Sequence, residues 1–110
     1  MALPHAQPLD VIDVRPLGFG LPKAVTSSLL KTTALQLQRL VLPAGHGIPE
    51  HSIMGAVTLQ CIEGEAMVTT PTRKISLKAG QLVMLHGGLT HGVHALTDSS
   101  LLVTILLETK

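Results

Sequence analysis

The stretch Gly55–Leu85, GAVTLQCIEGEAMVTTPTRKISLKAGQLVML, decides the fold. It breaks into four short apolar runs, Gly55–Ile62, Ala66–Thr70, Lys74–Leu77 and Gln81–Leu85. Between them stand Glu63-Gly64-Glu65, Pro71-Thr72 and Lys78-Ala79-Gly80, residues that turn a chain rather than extend it. Runs this short, spaced this closely, read as consecutive β-strands of a sandwich or barrel. A helix would need a longer periodic segment.

The same texture continues on both sides. Upstream, Val25–Leu30 and Leu35–Leu42 read as strands, followed by the turn Pro43-Ala44-Gly45. Leu30, Ala34, Leu37 and Val41 also fit one helical face. Thr32, Thr33 and the alternation at Leu35 and Leu37, with no helix cap in sight, favour the strand. Downstream, Gly92–Ala95 and Leu101–Leu107 are strands flanking Asp98-Ser99-Ser100. In the last one Leu101, Val103, Ile105 and Leu107 line one face while Leu102 and Leu106 line the other. A strand apolar on both faces expects a cover on both. The inside of a barrel covers one face. The N-terminal arm or a second subunit must cover the other, so a homodimer is expected.

Residues 1–24 hold most of the prolines and little periodicity, and are expected to form an extended arm ahead of a barrel domain at 25–110. The whole chain, 110 residues with 45% hydrophobic and 14% charged, suits one globular domain. Net charge is +1, with no basic cluster and a single Phe, which speaks against nucleic-acid binding. No apolar run reaches the ~18 residues of a membrane span. The N-terminus has neither the basic start nor the apolar run of a secretory signal. Cys61 is the only cysteine, which suits a reducing compartment, so a cytoplasmic location is expected.

The chemistry-bearing residues are the six histidines, His5, His46, His51, His86, His91 and His94. His51 precedes one expected strand, and His86 and His91 bracket Gly87-Gly88 several strands later. A barrel can gather such distant strand ends at one mouth, where imidazoles can share an ion. His94 has the opposite strand parity to His91 and should face away, and His5 falls in the arm. Gly64 and Gly80 occupy turns that suit a positive φ.

The spacing of these residues resembles the two motifs of the cupin superfamily. Gly45, His51, Ile53, Val57 and Gly64 stand at the intervals of the first motif. Gly80, His86, Gly88, His91 and Ala95 stand at those of the second, in the right order. The resemblance runs from about Leu35 to Ile105 and implies an all-β fold, a small single-domain RmlC-like jelly-roll barrel. It also implies a metal set of two histidines and a glutamate from the first motif and a histidine from the second. Here those positions read His51, Ile53, Val57 and His91, so the motif is degenerate. His86, where the family usually has proline, and His46 are further candidate ligands. Glu50 adjoins His51 but should point the other way.

Ile53, Val57, Leu59, Cys61 and Met84 are expected to line an apolar pocket, with Cys61 as filler rather than reactive thiol and Met54 in the core. Arg39 reads as a paired edge arginine. Expected is a barrel that binds a small molecule, a divalent transition metal (Zn, Fe, Mn, Ni or Cu), or both, at its mouth. The alternative is a metal-dependent enzyme of dioxygenase or isomerase type, for which His86 or His46 would have to complete a trio. A cupin sugar epimerase is disfavoured because the chain has no tyrosine.

Overall fold

The computed structural model describes residues 5–107; residues 1–4 of the expected arm and 108–110 of the expected barrel lie outside them. Nine strands follow a short 3-10 turn at Gly18–Lys23: β1 Ser27–Lys31, β2 Leu35–Leu42, β3 Gly47–His51, β4 Val57–Glu63, β5 Glu65–Thr69, β6 Lys74–Lys78, β7 Leu82–Leu85, β8 His91–Ala95 and β9 Ser99–Leu106. They form two antiparallel sheets, β1-β2-β9-β4-β7 and β3-β8-β5-β6. All eight expected strands are present within a few residues, and the ambiguous segment 35–42 is a strand. Two elements were not expected, β3 and the 3-10 turn. β3 reads Gly-Ile-Pro-Glu-His, and its proline is tolerated because β3 is an edge strand.

Alternation fills the space between the sheets. Leu40, Leu42, Val57, Leu59, Cys61, Ala66, Val68, Val93, Ala95, Leu101, Val103 and Ile105 pack into one core. Cys61 is wholly buried there, and its Sγ–H has the carbonyls of Glu63 and Gly64 within reach. That burial pushes the thiol pKa up, so the filler reading fits its surroundings.

The outer face of the five-stranded sheet is half covered, and the arm covers it. The arm starts beside β1, where the Ala6 N–H donates to Leu29 O and His5 Nε2 meets Ser28 Oγ. It crosses β2, where Arg39 Nη2 donates to Asp13 O, and reaches the end of β4. Strict alternation from Cys61 would turn Glu63 inward. A bulge between Cys61 and Glu63 pairs Glu63 with Ser100 instead and re-aims it outward. There its carboxylate accepts the N–H groups of Leu17 and Gly18 and the hydroxyl of Ser100. Leu21 is buried beyond this clasp, in a cleft shared with Val41, Leu42 and Pro43, a contribution of about 1.5–3 kcal/mol for such a side chain. Arg39 corrects the edge expectation. β2 lies between β1 and β9, and the guanidinium is buried under the arm.

The clasp predicts an acid response. Burial alone would raise the Glu63 pKa, but hydrogen bonds from Leu17, Ser100 and Gly18 outweigh it and hold the group below its ordinary 4.5. A carboxylate whose folded value is depressed stabilises the folded form above its unfolded pKa, and that contribution fades as pH falls through the folded value. Acidification below about pH 4.5 should therefore loosen residues 13–24 before the barrel melts. Limited pepsin cleavage should cut the arm first, and Glu63→Gln should show the same early cutting at neutral pH with a neutral-active protease. An arm equally protected in Glu63→Gln would show that the clasp does not hold it.

Candidate functional site

β3 and β8 bring the site together. They pair through Gly47–His94, Ile48–Val93 and His51–His91. Between the last two pairs β3 contains one residue more than β8, a bulge at Pro49-Glu50. Ile48 packs on the core, so regular alternation would send His51 to the outer face. The extra residue turns it back inward, opposite His91, and sends Glu50 out. The two rings lie 4.7 Å apart between centroids, tilted by 49°. His91 is buried and His51 sits exposed on the rim.

Both rings are held in one tautomer. His91 Nδ1 is 2.9 Å from Leu89 O, and His51 Nδ1 is 3.1 Å from Pro49 O. A carbonyl oxygen only accepts, so in each ring Nδ1 carries a hydrogen, and Nε2 is the nitrogen whose lone pair a neutral imidazole would present. This is also how metal-binding imidazoles are commonly oriented.

Below the pair is an apolar well of about 60 Å³ lined by Ile48, Ile53, Val57, Leu59, Val93 and neighbours on β2 and β9. That is far below the roughly 300–1,000 Å³ of drug-sized pockets, so it takes the tip of a ligand or a very small one. Gln38 lines it too and was not anticipated. Leu40 and Leu42 face the core, so alternation along β2 turns Gln38 to the same side, a signal present in the sequence. Among the described residues that line the well it is the one polar side chain besides the two imidazoles, and its amide can donate as well as accept.

The structure thus unites His51, His91, Ile53, Val57 and Leu59, and leaves four expected residues outside. Cys61 faces inward but sits two residues past Leu59 along β4, roughly 7 Å deeper at strand rise, and does not line the well. Met84 pairs with Thr58 on the outer face and is exposed, and Met54 is exposed rather than in the core. His46 is exposed at the opposite end of β3, where its carbonyl accepts the Ala95 N–H. His86 is exposed past the end of β7 and does not line the well. Glu50 and His94 face away, toward a shallow outer groove across Gly47 and Gly92, His94 by strand parity with His91 and Glu50 through the bulge. Among the described residues no group of three or more His, Cys, Asp or Glu side chains could hold a metal ion. A resident catalytic metal wants at least three protein ligands. This donor set supplies two, and Val57 occupies the carboxylate position. It does not fit such a centre.

Among the described residues no helix is long and apolar enough to cross a membrane. No protein-family model matches the sequence, and no curated protein does. Solved structures do match. A conserved Streptococcus pyogenes protein of unknown function aligns over 100% of this chain and 97% of its own, at 18% identity and TM-score 0.76. A cupin superfamily protein of Desulfitobacterium hafniense aligns over 98% and 97%, at 20% identity and TM-score 0.75. An RmlC-like cupin family protein of Methanocaldococcus jannaschii, with a double-stranded β-helix fold, aligns over 74% and 78%, at 24% identity and TM-score 0.70. Likeness at this identity establishes the fold and leaves the activity open.

Proposed function

We propose that this chain, a jelly-roll barrel of the cupin type, binds a small organic molecule at the barrel mouth. The ligand places an apolar tip in the well and a hydrogen-donating head, such as a hydroxyl, against His51 and His91. The carrying observation is the fixed tautomer of both rings over a greasy well. Two free Nε2 lone pairs ask for donors, and the walls ask for hydrocarbon. The Gln38 amide, free to donate or accept, would orient the same head. The described residues that line the well include no carboxylate, so a fully desolvated ammonium would lack a countercharge there, which disfavours amines.

A second reading keeps the metal. Two imidazoles presenting Nε2 can hold a transition ion weakly, with a chelating ligand or water filling the other positions. It is favoured only by the ring orientation. The enzyme reading needs a third protein ligand, and His86 and His46, the expected ones, do not line the well.

The test uses isobutanol and Zn²⁺ as separate probes, followed by NMR of the His51, His91 and Gln38 side chains. Isobutanol should shift all three saturably, and His51→Ala/His91→Ala should weaken that response at least tenfold while the fold is retained. Saturation by Zn²⁺ at one equivalent, with no response to the alcohol, would replace the organic ligand by the metal. Isobutanol shifts unchanged in the double variant would remove the site.

A further inference from the structure

We infer that the open cleft where the arm crosses β2 binds a small organic monoacid, its carboxylate held by Arg39 and Arg15 and its hydrocarbon body resting on Pro16 and Leu17. The cleft measures about 480 Å³ and is lined by Asp13, Arg15, Pro16, Leu17 and Arg39. It lies on the other side of β2 from the well, because Arg39 alternates outward between Gln38 and Leu40. The two sites share no side chain.

Arg39 asks for an anion. It is only 8% exposed, yet among the described residues no carboxylate forms an ion pair with it. Taking a charge out of water is costly unless a countercharge and hydrogen bonds replace the lost hydration. Arg39 has part of that replacement. Its Nη2 donates to Asp13 O at 3.3 Å, and Nη1 makes a long contact of 3.5 Å with Ser100 Oγ. Glu63 reaches it only through that hydroxyl, and the Glu63 carboxylate is already engaged by Leu17, Gly18 and Ser100. The other N–H groups of the guanidinium, Nε–H among them, bond to none of the described residues. No buried side-chain nitrogen or oxygen among those residues lacks a partner, so this Nε is reached by solvent. The solvent-filled space that Arg39 lines is the cleft.

Arg15 stands at the same cleft. It clamps the Asp13 carboxylate through Nε and Nη2, which leaves its Nη1 without a bond to a described residue. Those bonds, with a smaller pull from Arg39, hold Asp13 below its ordinary 3.8. Asp13 is thus the cleft's own anion, committed to Arg15 and offering Arg39 only its carbonyl. Two arginines against one aspartate leave a single positive charge in the lining. A carboxylate balances that charge, and a phosphate dianion would exceed it. The fork of a guanidinium also matches the two oxygens of a carboxylate. The volume falls in the roughly 300–1,000 Å³ range of small-molecule sites and is more than a bare ion fills. Pro16 and Leu17 supply an apolar wall for the remainder.

Titration of the full chain with sodium butyrate at constant ionic strength tests this, read by NMR from the Nε–H signals of Arg39 and Arg15 and the Leu17 methyls. Butyrate should shift all three saturably. Butanol, which keeps the tail and lacks the charge, should shift none of them, and inorganic phosphate should bind about fivefold more weakly or worse. Arg15→Gln should weaken butyrate binding about fivefold. Asp13→Asn should tighten it about threefold, because it removes the competing anion, frees Arg15 and keeps the carbonyl that Arg39 uses. The Arg15 and Asp13 side chains are 84% and 58% exposed, so neither change threatens the fold. A pair that only braced the arm would not give opposite signs. Arg39→Lys, which keeps the charge and loses the fork, should weaken binding about tenfold. Butyrate shifts that never saturate, phosphate binding as tight as butyrate, or an Asp13→Asn variant no tighter than wild type would overturn the proposal. Were Arg39→Lys to release the arm, the Arg15→Gln and Asp13→Asn pair still decides.

Discussion

A Leu101→Ala variant is expected to melt roughly 12–24 °C below the wild type, following from about 3 kcal/mol lost at about 4–8 °C per kcal/mol. Leu101 has no exposed surface and sits on β9, the middle strand of the larger sheet, paired with Leu40 on one side and Cys61 on the other. Both neighbours are core residues fixed on strands, so the space left by three missing carbons cannot be refilled by a loop. The loss is then the transfer energy of those carbons plus an unrelaxed cavity. Leu96→Ala, in the exposed turn before β9, should stay within about 0.5 kcal/mol of the wild type. Thermal melts followed by circular dichroism check the pair. A Leu101→Ala shift as small as that of Leu96→Ala would mean that the core is not packed as the structure has it.

Most of the fold can be read in the chain because most of its strands carry their own pattern. Leu35–Leu42 alternates inward Leu40 and Leu42 with outward Leu35 and Leu37, and its limits are those of β2. β3 carries no such pattern. Only Ile48 among its five residues is apolar, Pro49 interrupts it, and its hydrogen bonds come from β8, some forty residues away in sequence. Its existence is decided by tertiary pairing, which no local window contains. Arg39 misleads for a related reason. An arginine in an apolar strand reads as an edge residue unless one knows that a remote segment, held by Glu63, lies over it.

At the site, alternation tells which way a side chain points but not how deep it lies. Val57, Leu59 and Cys61 do share the inner face, yet only the first two reach the well. Loop histidines such as His46 and His86 obey no alternation, and their proximity in sequence to His51 and His91 says little about where the intervening backbone points. The least readable feature is also the decisive one. The extra residue at Pro49-Glu50 reverses the side of His51, and nothing in the local composition announces it. The cupin-like spacing identified His51 and His91, while Gln38 follows from β2 alternation once Leu40 is known to face inward.

Two glycines with nearly the same φ should respond very differently to alanine, and the comparison separates packing from the cost of that φ. Gly64 and Gly80 both turn between strands with positive φ, 86° and 90°. A side chain in that region costs about 1–2 kcal/mol by itself. At Gly80 nothing lies within 4 Å of where a Cβ would stand, so Gly80→Ala should lose about that much and no more. At Gly64 the added carbon would strike the Asp98 carbonyl and the Ser99 hydroxyl, and sit 2.9 Å from Ser99 Cα. Neither obstacle is the free end of a long side chain. Ser99 is wholly buried, and its hydroxyl accepts the Glu65 N–H and donates its one hydrogen to the Thr97 carbonyl at 2.8 Å. Making room therefore means moving the start of β9 and giving up those bonds, on the order of 2–3 kcal/mol beyond the conformational cost. Gly64→Ala should lose on the order of 4 kcal/mol in urea unfolding, a large part of the ~5–15 kcal/mol that holds a small domain folded. Because the shift would pull Ser100 with Ser99, it should also loosen the Glu63 clasp and expose the arm to protease, which Gly80→Ala should not do. Equal losses in the two variants would mean that only φ matters at position 64, and that the junction of β4, β5 and β9 is looser than its contacts imply.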